Sequence, residues 1–184
     1  MKVIMILGSR NPDGQTARAA DALFQSMLDK GCQGEKFFLP EMKIRRCRQC
    51  DERGWGICRT EGRCVIVDDL AALVDKIKSA DVVVFATPVY FGDLSESIRA
   101  FLDRLRRTCM HESGKDGING TLAVGVCVAG GGGGGGPSCA VSLEKVLRTC
   151  GFDVVDLIPV RRQNLEMKLD VLKVTGEWLA GMEV

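Results

Sequence analysis

Histidine is almost missing. His111 is the only one in 184 residues, and it sits in the polar run Met110-His111-Glu112-Ser113-Gly114-Lys115 with no nucleophile motif around it. That argues against Ser/His/Asp and Cys/His hydrolases, which need an imidazole beside the attacking group. An excess of one charge is missing too, 25 basic residues standing against 24 acidic ones. The chain thus lacks the positive field that nucleic acid or an anionic membrane demands. No apolar run approaches the roughly 20 residues of a membrane span. The segment Met1 to Leu7 is too short for a leader and has no cleavage-site pattern. These absences point to an unprocessed cytoplasmic protein whose partner is a small molecule, with no nucleic acid and no membrane. Its length suits one domain over residues 1–184, and 46% hydrophobic residues can fill a core.

Cysteine, by contrast, is plentiful. Nine in this length is high, but the number is odd, and Cys32, Cys109, Cys127, Cys139 and Cys150 are scattered through apparent core segments, so a secreted disulfide framework does not fit. Cys47, Cys50, Cys58 and Cys64 crowd together, which in a reducing compartment points to metal or redox chemistry.

Continuous apolar runs at Val3 to Leu7, Val82 to Ala86, Leu122 to Val128 and Val154 to Val160, with a weaker one at Lys36 to Leu39, suit strands buried on both faces. Helical spacing follows each: Ala20, Leu23, Phe24, Met27 in the first, Leu70, Leu73, Val74, Ile77 in the second, Leu94, Ile98, Phe101, Leu102, Leu105 in the third. Leu143, Val146, Leu147 and, more loosely, Leu165, Leu169, Leu172, Leu179 complete the series. The expected fold is α/β: a doubly wound, five-stranded parallel sheet of order 2-1-3-4-5 with helices on both faces. Its binding crevice lies at the carboxyl edge, between the loops after strands one and three and under the loop after strand four. The stretch from about 40 to 67 lacks periodicity and reads as a cysteine-rich insertion.

All three loops are unusual. Gly8-Ser9-Arg10-Asn11-Pro12-Asp13-Gly14-Gln15-Thr16 runs into a helix, where free backbone N–H groups, the helix dipole and the Ser9 and Thr16 hydroxyls suit a monophosphate; Arg10 adds charge. It is neither a Walker loop nor a G-x-G-x-x-G fingerprint. A capped turn at Pro12-Asp13-Gly14 is the plainer alternative. Thr87-Pro88-Val89-Tyr90-Phe91-Gly92 offers aromatic faces and a close-approach glycine for a flat ring, or else two core aromatics. Gly130 to Gly136, seven glycines in a row, costs about 0.5–1 kcal/mol per residue against alanine in regular structure. It links nothing able to fold alone, so backbone lying flat over a planar ligand accounts for it better than a flexible linker.

These three loops, with Ala-Phe-Leu-Asp-Arg at Ala100 to Arg104, resemble the NAD(P)H-dependent FMN reductases of flavodoxin-like fold over nearly the whole chain. The cysteine run ending Cys64-Val65-Ile66-Val67-Asp68-Asp69 resembles the iron-sulfur flavoproteins. The resemblance implies FMN, with Ser9, Arg10, Asp13, Gly14, Gln15 and Thr16 around its phosphate. It places Thr87, Pro88, Val89, Tyr90, Phe91 and Gly92 at the edge and face of the isoalloxazine, and Gly130, Gly131 and Gly132 on the pyrimidine side. Gln15 stands where the family more often has asparagine. The implied activity is an oxidoreductase that takes hydride from NAD(P)H at flavin N5, with no catalytic side chain, and passes electrons to a quinone, a flavin or a similar small acceptor. A non-enzymatic FMN electron carrier or redox sensor is the alternative, and a homodimer or homotetramer is implied.

Cys47 and Cys50 have the spacing that places two sulfurs on one metal, and Cys58 and Cys64 complete a four-thiolate set. In iron-sulfur flavoproteins the third cysteine falls two residues past the second, whereas seven residues, Asp51 to Ile57, intervene here. A four-iron four-sulfur cluster, zinc, and free or reversibly oxidised thiols all remain open. Arg161 and Arg162, past the last strand, suit the 2′-phosphate of NADPH or a neighbouring subunit's flavin, or else plain solvated charge.

Overall fold

A computed structural model describes residues 1–182; of the span 1–184 expected to form the domain, Glu183 and Val184 lie outside the described residues. The elements run β1 (Lys2–Leu7), α1 (Gln15–Asp29), β2 (Gln33–Phe38), α2 (Ile57–Thr60), α3 (Leu70–Lys78), β3 (Val82–Tyr90) and β4 (Asp93–Leu94). Then come α4 (Glu96–Thr108), α5 (Glu112–Lys115), β5 (Leu122–Ala129), α6 (Gly136–Cys150), β6 (Asp153–Arg161) and α7 (Leu165–Ala180). Five strands pair in parallel in the order β2-β1-β3-β5-β6, the expected order once β4 is counted. The two-residue β4, not foreseen, folds back antiparallel on the end of β3.

Side chains alternate across the sheet because strand periodicity is two. Ile4 and Ile6 of β1 join the layer of α3, α4 and α6, while Val3, Met5 and Leu7 join that of α1 and α7. The strands β1, β3 and β5 are buried along nearly their whole length, which is why they read as unbroken apolar runs. The edge strand β2 begins at Gln33, earlier than the apolar pattern indicated, because its first residues face solvent and carry no hydrophobic signal.

Helices α1 and α7 approach closely at Gly176, where a Cβ would stand 2.1 Å from Ser26 Oγ and 2.3 Å from the Leu23 carbonyl. Gly176→Ala will therefore force the two helices apart at a cost of about 1–3 kcal/mol. A lowered thermal midpoint checks this; an unchanged one contradicts the close packing of α7. No helix among the described residues is long and apolar enough to cross a membrane.

Candidate functional site: a glycine-floored cleft and a cysteine pocket

The three loops converge. Gln15 and Thr16 from the start of α1, Pro88, Val89 and Tyr90 from the end of β3, and Val128 through Gly134 after β5 line one cleft of about 450 Å3 at the carboxyl edge of the sheet. Gly14, the extended residue just before α1, offers no side-chain cap, and the first turn of the helix holds no acidic residue. Its first N–H groups are thus left for an anion. Gln15 Oε1 is buried there without a hydrogen-bond partner.

The buried Ser95 and the half-buried Ser97 staple the loops to each other. Ser95 Oγ and Ser97 Oγ both donate to the Gly8 carbonyl at 3.0 Å, and Ser95 N donates to Thr87 Oγ1 at 3.1 Å. Thr87 is fully buried and its hydroxyl is engaged within the turn, donating to the Pro88 carbonyl at 2.9 Å. It lies beneath the cleft, not in its wall. Arg10 and Asp13 are exposed on the loop ahead of the helix, with Ser9 half-buried beside them, and none of the three reaches the wall. Phe91 and Gly92 form the tight turn from β3 to β4, with φ of +50° and +76°, the hairpin geometry that usually takes glycine or asparagine. The Phe91 ring is wholly solvent-exposed, so only Tyr90 of the aromatic pair lines the cleft.

Six of the seven glycines divide into two groups, and the seventh, Gly136, opens α6. Gly131, Gly133 and Gly135 have φ of +34°, +76° and +80°, and a Cβ on Gly135 would stand 2.5 Å from the Gly92 Cα; the chain's own geometry requires these. Gly130, Gly132 and Gly134 lie outside the left-handed region, and a Cβ on any of them would meet nothing within 4 Å. Nothing in the fold demands glycine there. Gln163, not singled out by the sequence, braces the loop with a 3.3 Å bond from Nε2 to the Gly132 carbonyl.

A second pocket gathers Cys47, Cys50, Cys58 and Cys64 with Trp55, Arg104 and Arg107. The segment carrying these cysteines is pinned at both ends. Lys43 N donates to Asp69 Oδ2 at 2.6 Å and Arg45 N to Asp68 Oδ2 at 3.0 Å. Arg104 pairs with Asp68 at 2.7 Å, the two side chains being 1% and 3% exposed. The Arg107 guanidinium stacks on Trp55, 4.2 Å from the ring centroid. The free space is about 10 Å3, room for about one water molecule. No three of the His, Cys, Asp or Glu side chains among the described residues stand at single-ion spacing. The remaining cysteines serve the core: a hydrogen bond with Cys139, together with burial, pushes the Cys127 thiol up, and Cys109 does the same to Cys150.

Comparison with known proteins agrees with this architecture. An iron-sulfur flavoprotein of Methanocaldococcus jannaschii is 31% identical over 125 residues, 68% of this chain and 62% of that protein, so the matched part spans less than two thirds of the relative's length. The solved NAD(P)H:quinone oxidoreductase from Methanothermobacter marburgensis superposes with a TM-score of 0.76 at 19% identity, covering 100% of this chain and 98% of that one. A flavodoxin from the domain Archaea does so with a TM-score of 0.63 at 15% identity, covering 98% and 96%. At such identities these two structures establish the flavodoxin-like fold. The family model described as NADPH-dependent FMN reductase matches residues 1–161, and with that match over most of its length the chain belongs to the NADPH-dependent FMN reductase family.

Proposed function

We propose that the chain is an FMN-dependent NAD(P)H oxidoreductase that passes electrons from a nicotinamide donor to a small acceptor of the quinone or flavin kind. The carrying observation is the trio Gly130, Gly132 and Gly134, whose missing side chains serve no need of the fold but leave bare backbone along the floor of the cleft. A flat ring lying on that floor explains them. The orphaned Gln15 amide and the uncapped start of α1 fit a phosphate at the cleft's other end.

FMN, when bound, supplies the hydride and electron chemistry. The chain's residues position it and keep water away. The N–H groups at Gln15 and Thr16, with the Thr16 hydroxyl, hold the phosphate; Tyr90 and Val89 wall the ring; Gly130 to Gly132 offer main-chain N–H and carbonyl groups to its polar edge. Ser9 and Arg10 lie on the loop just ahead of these groups, outside the cleft wall. The exposed apolar stripe Met167, Val171, Val174 and Trp178 on α7 supports a homodimer or homotetramer.

The cysteine pocket carries the donor set of a four-iron cluster in Cys47, Cys50, Cys58 and Cys64, but its free space of about 10 Å3 does not admit one as it stands. Four thiols line the pocket beside Arg104 and Arg107, whose Nε–H groups are buried without partners. A cluster takes one thiolate per iron, so its cysteines stand further apart than the ligands of one zinc ion. Loading a cluster requires the 43–67 segment to open.

Anaerobic addition of NADPH to the yellow protein tests the reading. Bleaching is expected; colour that persists marks a carrier, and a protein that takes up no FMN contradicts the cleft assignment. Gln15→Leu will weaken FMN about tenfold, or 1.4 kcal/mol, while stabilising the flavin-free fold by about 1 kcal/mol because the orphaned amide is gone. Flavin titration and thermal melting check the pair; a variant that binds FMN like the parent removes Gln15 from the site.

A further inference from the structure

We propose that Phe91, held beside the mouth of the cleft by a left-handed turn, receives the electron acceptor by stacking on the flat ring of a neutral, quinone-type molecule. This rests on the FMN-cleft reading above and specifies which residue selects the acceptor.

The geometry of the turn argues against phenylalanine at this position. Tyr90 of β3 pairs with Asp93 of β4, so Phe91 and Gly92 are the central residues of a hairpin loop, with φ of +50° and +76°. A loop with positive φ at both places is met with little strain by Asn-Gly, whereas a bulky side chain at the first place is strained. Among the described residues Gln49 is the only other non-glycine with positive φ. No packing compensates, because the Phe91 ring lies wholly in solvent. A side chain that is both strained and apolar in water serves something other than the fold.

The turn is nevertheless fixed against the cleft. Gly92 lies on the end of the glycine run, where a Cβ on Gly135 would stand 2.5 Å from Gly92 Cα and 3.3 Å from Val89 Cγ1. On the far side Asp93 pairs with Arg99 of α4 and accepts from Leu94 N at 2.8 Å. Tyr90, the residue before Phe91, lines the cleft and is half exposed, so Phe91 continues an aromatic edge beyond its rim. Residues 90–93 carry no cation, and their one anion is engaged by Arg99. The turn therefore suits an uncharged flat ring better than the phosphates of a dinucleotide.

The test compares parent, Phe91→Asn and Phe91→Tyr. Menadione binding to the oxidised, FMN-loaded protein is measured by equilibrium dialysis, KM and kcat for menadione and KM for NADPH by turnover, and the flavin-free protein by thermal melting. Phe91→Asn is expected to bind menadione about tenfold more weakly, with its KM raised to match and kcat changed little. The flavin-free variant is expected to melt about 2–4 °C higher, because the turn relaxes. Phe91→Tyr keeps the ring and, with it, parental menadione binding. Phe91→Asn with parental menadione affinity overturns this proposal alone. So does a rise in KM for NADPH in place of menadione, or an oligomer that dissociates in Phe91→Asn and marks Phe91 as a contact between copies. A parent that takes up no FMN overturns the cleft reading and this proposal with it.

Discussion

Gly132→Val will take FMN out of the cleft and leave the fold standing. Position 132 has no left-handed φ and open space where a Cβ would stand. Alanine there will raise stability by about 0.4–1 kcal/mol through the lost entropy of the unfolded chain. Valine, with its methyl groups over the floor of the cleft, will weaken FMN about 100-fold, or about 2.8 kcal/mol. Gly135→Ala is the contrast, since its φ of +80° and the 2.5 Å approach to Gly92 make the glycine structural; it will lose stability and flavin together. Fluorescence titration with FMN beside thermal melting of the flavin-free protein separates these effects. If Gly132→Val melts as low as Gly135→Ala, the floor is a requirement of the fold and its link to a ligand fails.

Asp68→Ala will be the most destabilising of the changes considered, by about 3–5 kcal/mol, because it leaves the buried Arg104 charge uncompensated. Replacing both partners by apolar residues, Asp68→Leu with Arg104→Met, will recover most of that loss. The pair also sets a pH dependence. Burial alone would push the Asp68 carboxyl up, but hydrogen bonds from Arg104 and from the Arg45 and Leu70 N–H groups, with the Arg104 charge, hold it below the usual carboxylate value. A carboxyl lowered in the folded state contributes its stability above the unfolded pKa of about 3.9 and loses it as pH falls through the lower folded value. Urea midpoints of the parent will therefore drop as the solution is acidified below about pH 4, and those of Asp68→Ala will drop less. Parallel curves for the two proteins would remove Asp68 from the acid transition.

The sheet was legible because β1, β3 and β5 are covered on both faces, and continuous valine and isoleucine runs are what such strands leave in a sequence. The edge strand β2 was legible only where Phe37 and Phe38 turn inward, and the two-residue β4 is too short for any periodicity. The cleft was legible from loop chemistry. Which residues of each loop face it was not: Thr87 and Phe91 are adjacent in sequence to residues of the wall, yet one is locked beneath it by Ser95 and the other is thrown outward by a left-handed turn. The Arg104–Asp68 pair was the largest omission. A signal existed, since Phe101, Arg104 and Thr108 recur at helical spacing on one buried face of α4, and an arginine in such a stripe needs a buried partner. Its partner is 36 residues away in sequence, a separation that no local pattern spans.

The most direct test of the flavin seat is a crystal structure of the protein grown with FMN. The ring should lie against Gly130 to Gly134 and beside Tyr90, with the phosphate at the N–H groups of Gln15 and Thr16. Flavin bound at any other surface, or a cleft filled by the chain's own side chains, would contradict it.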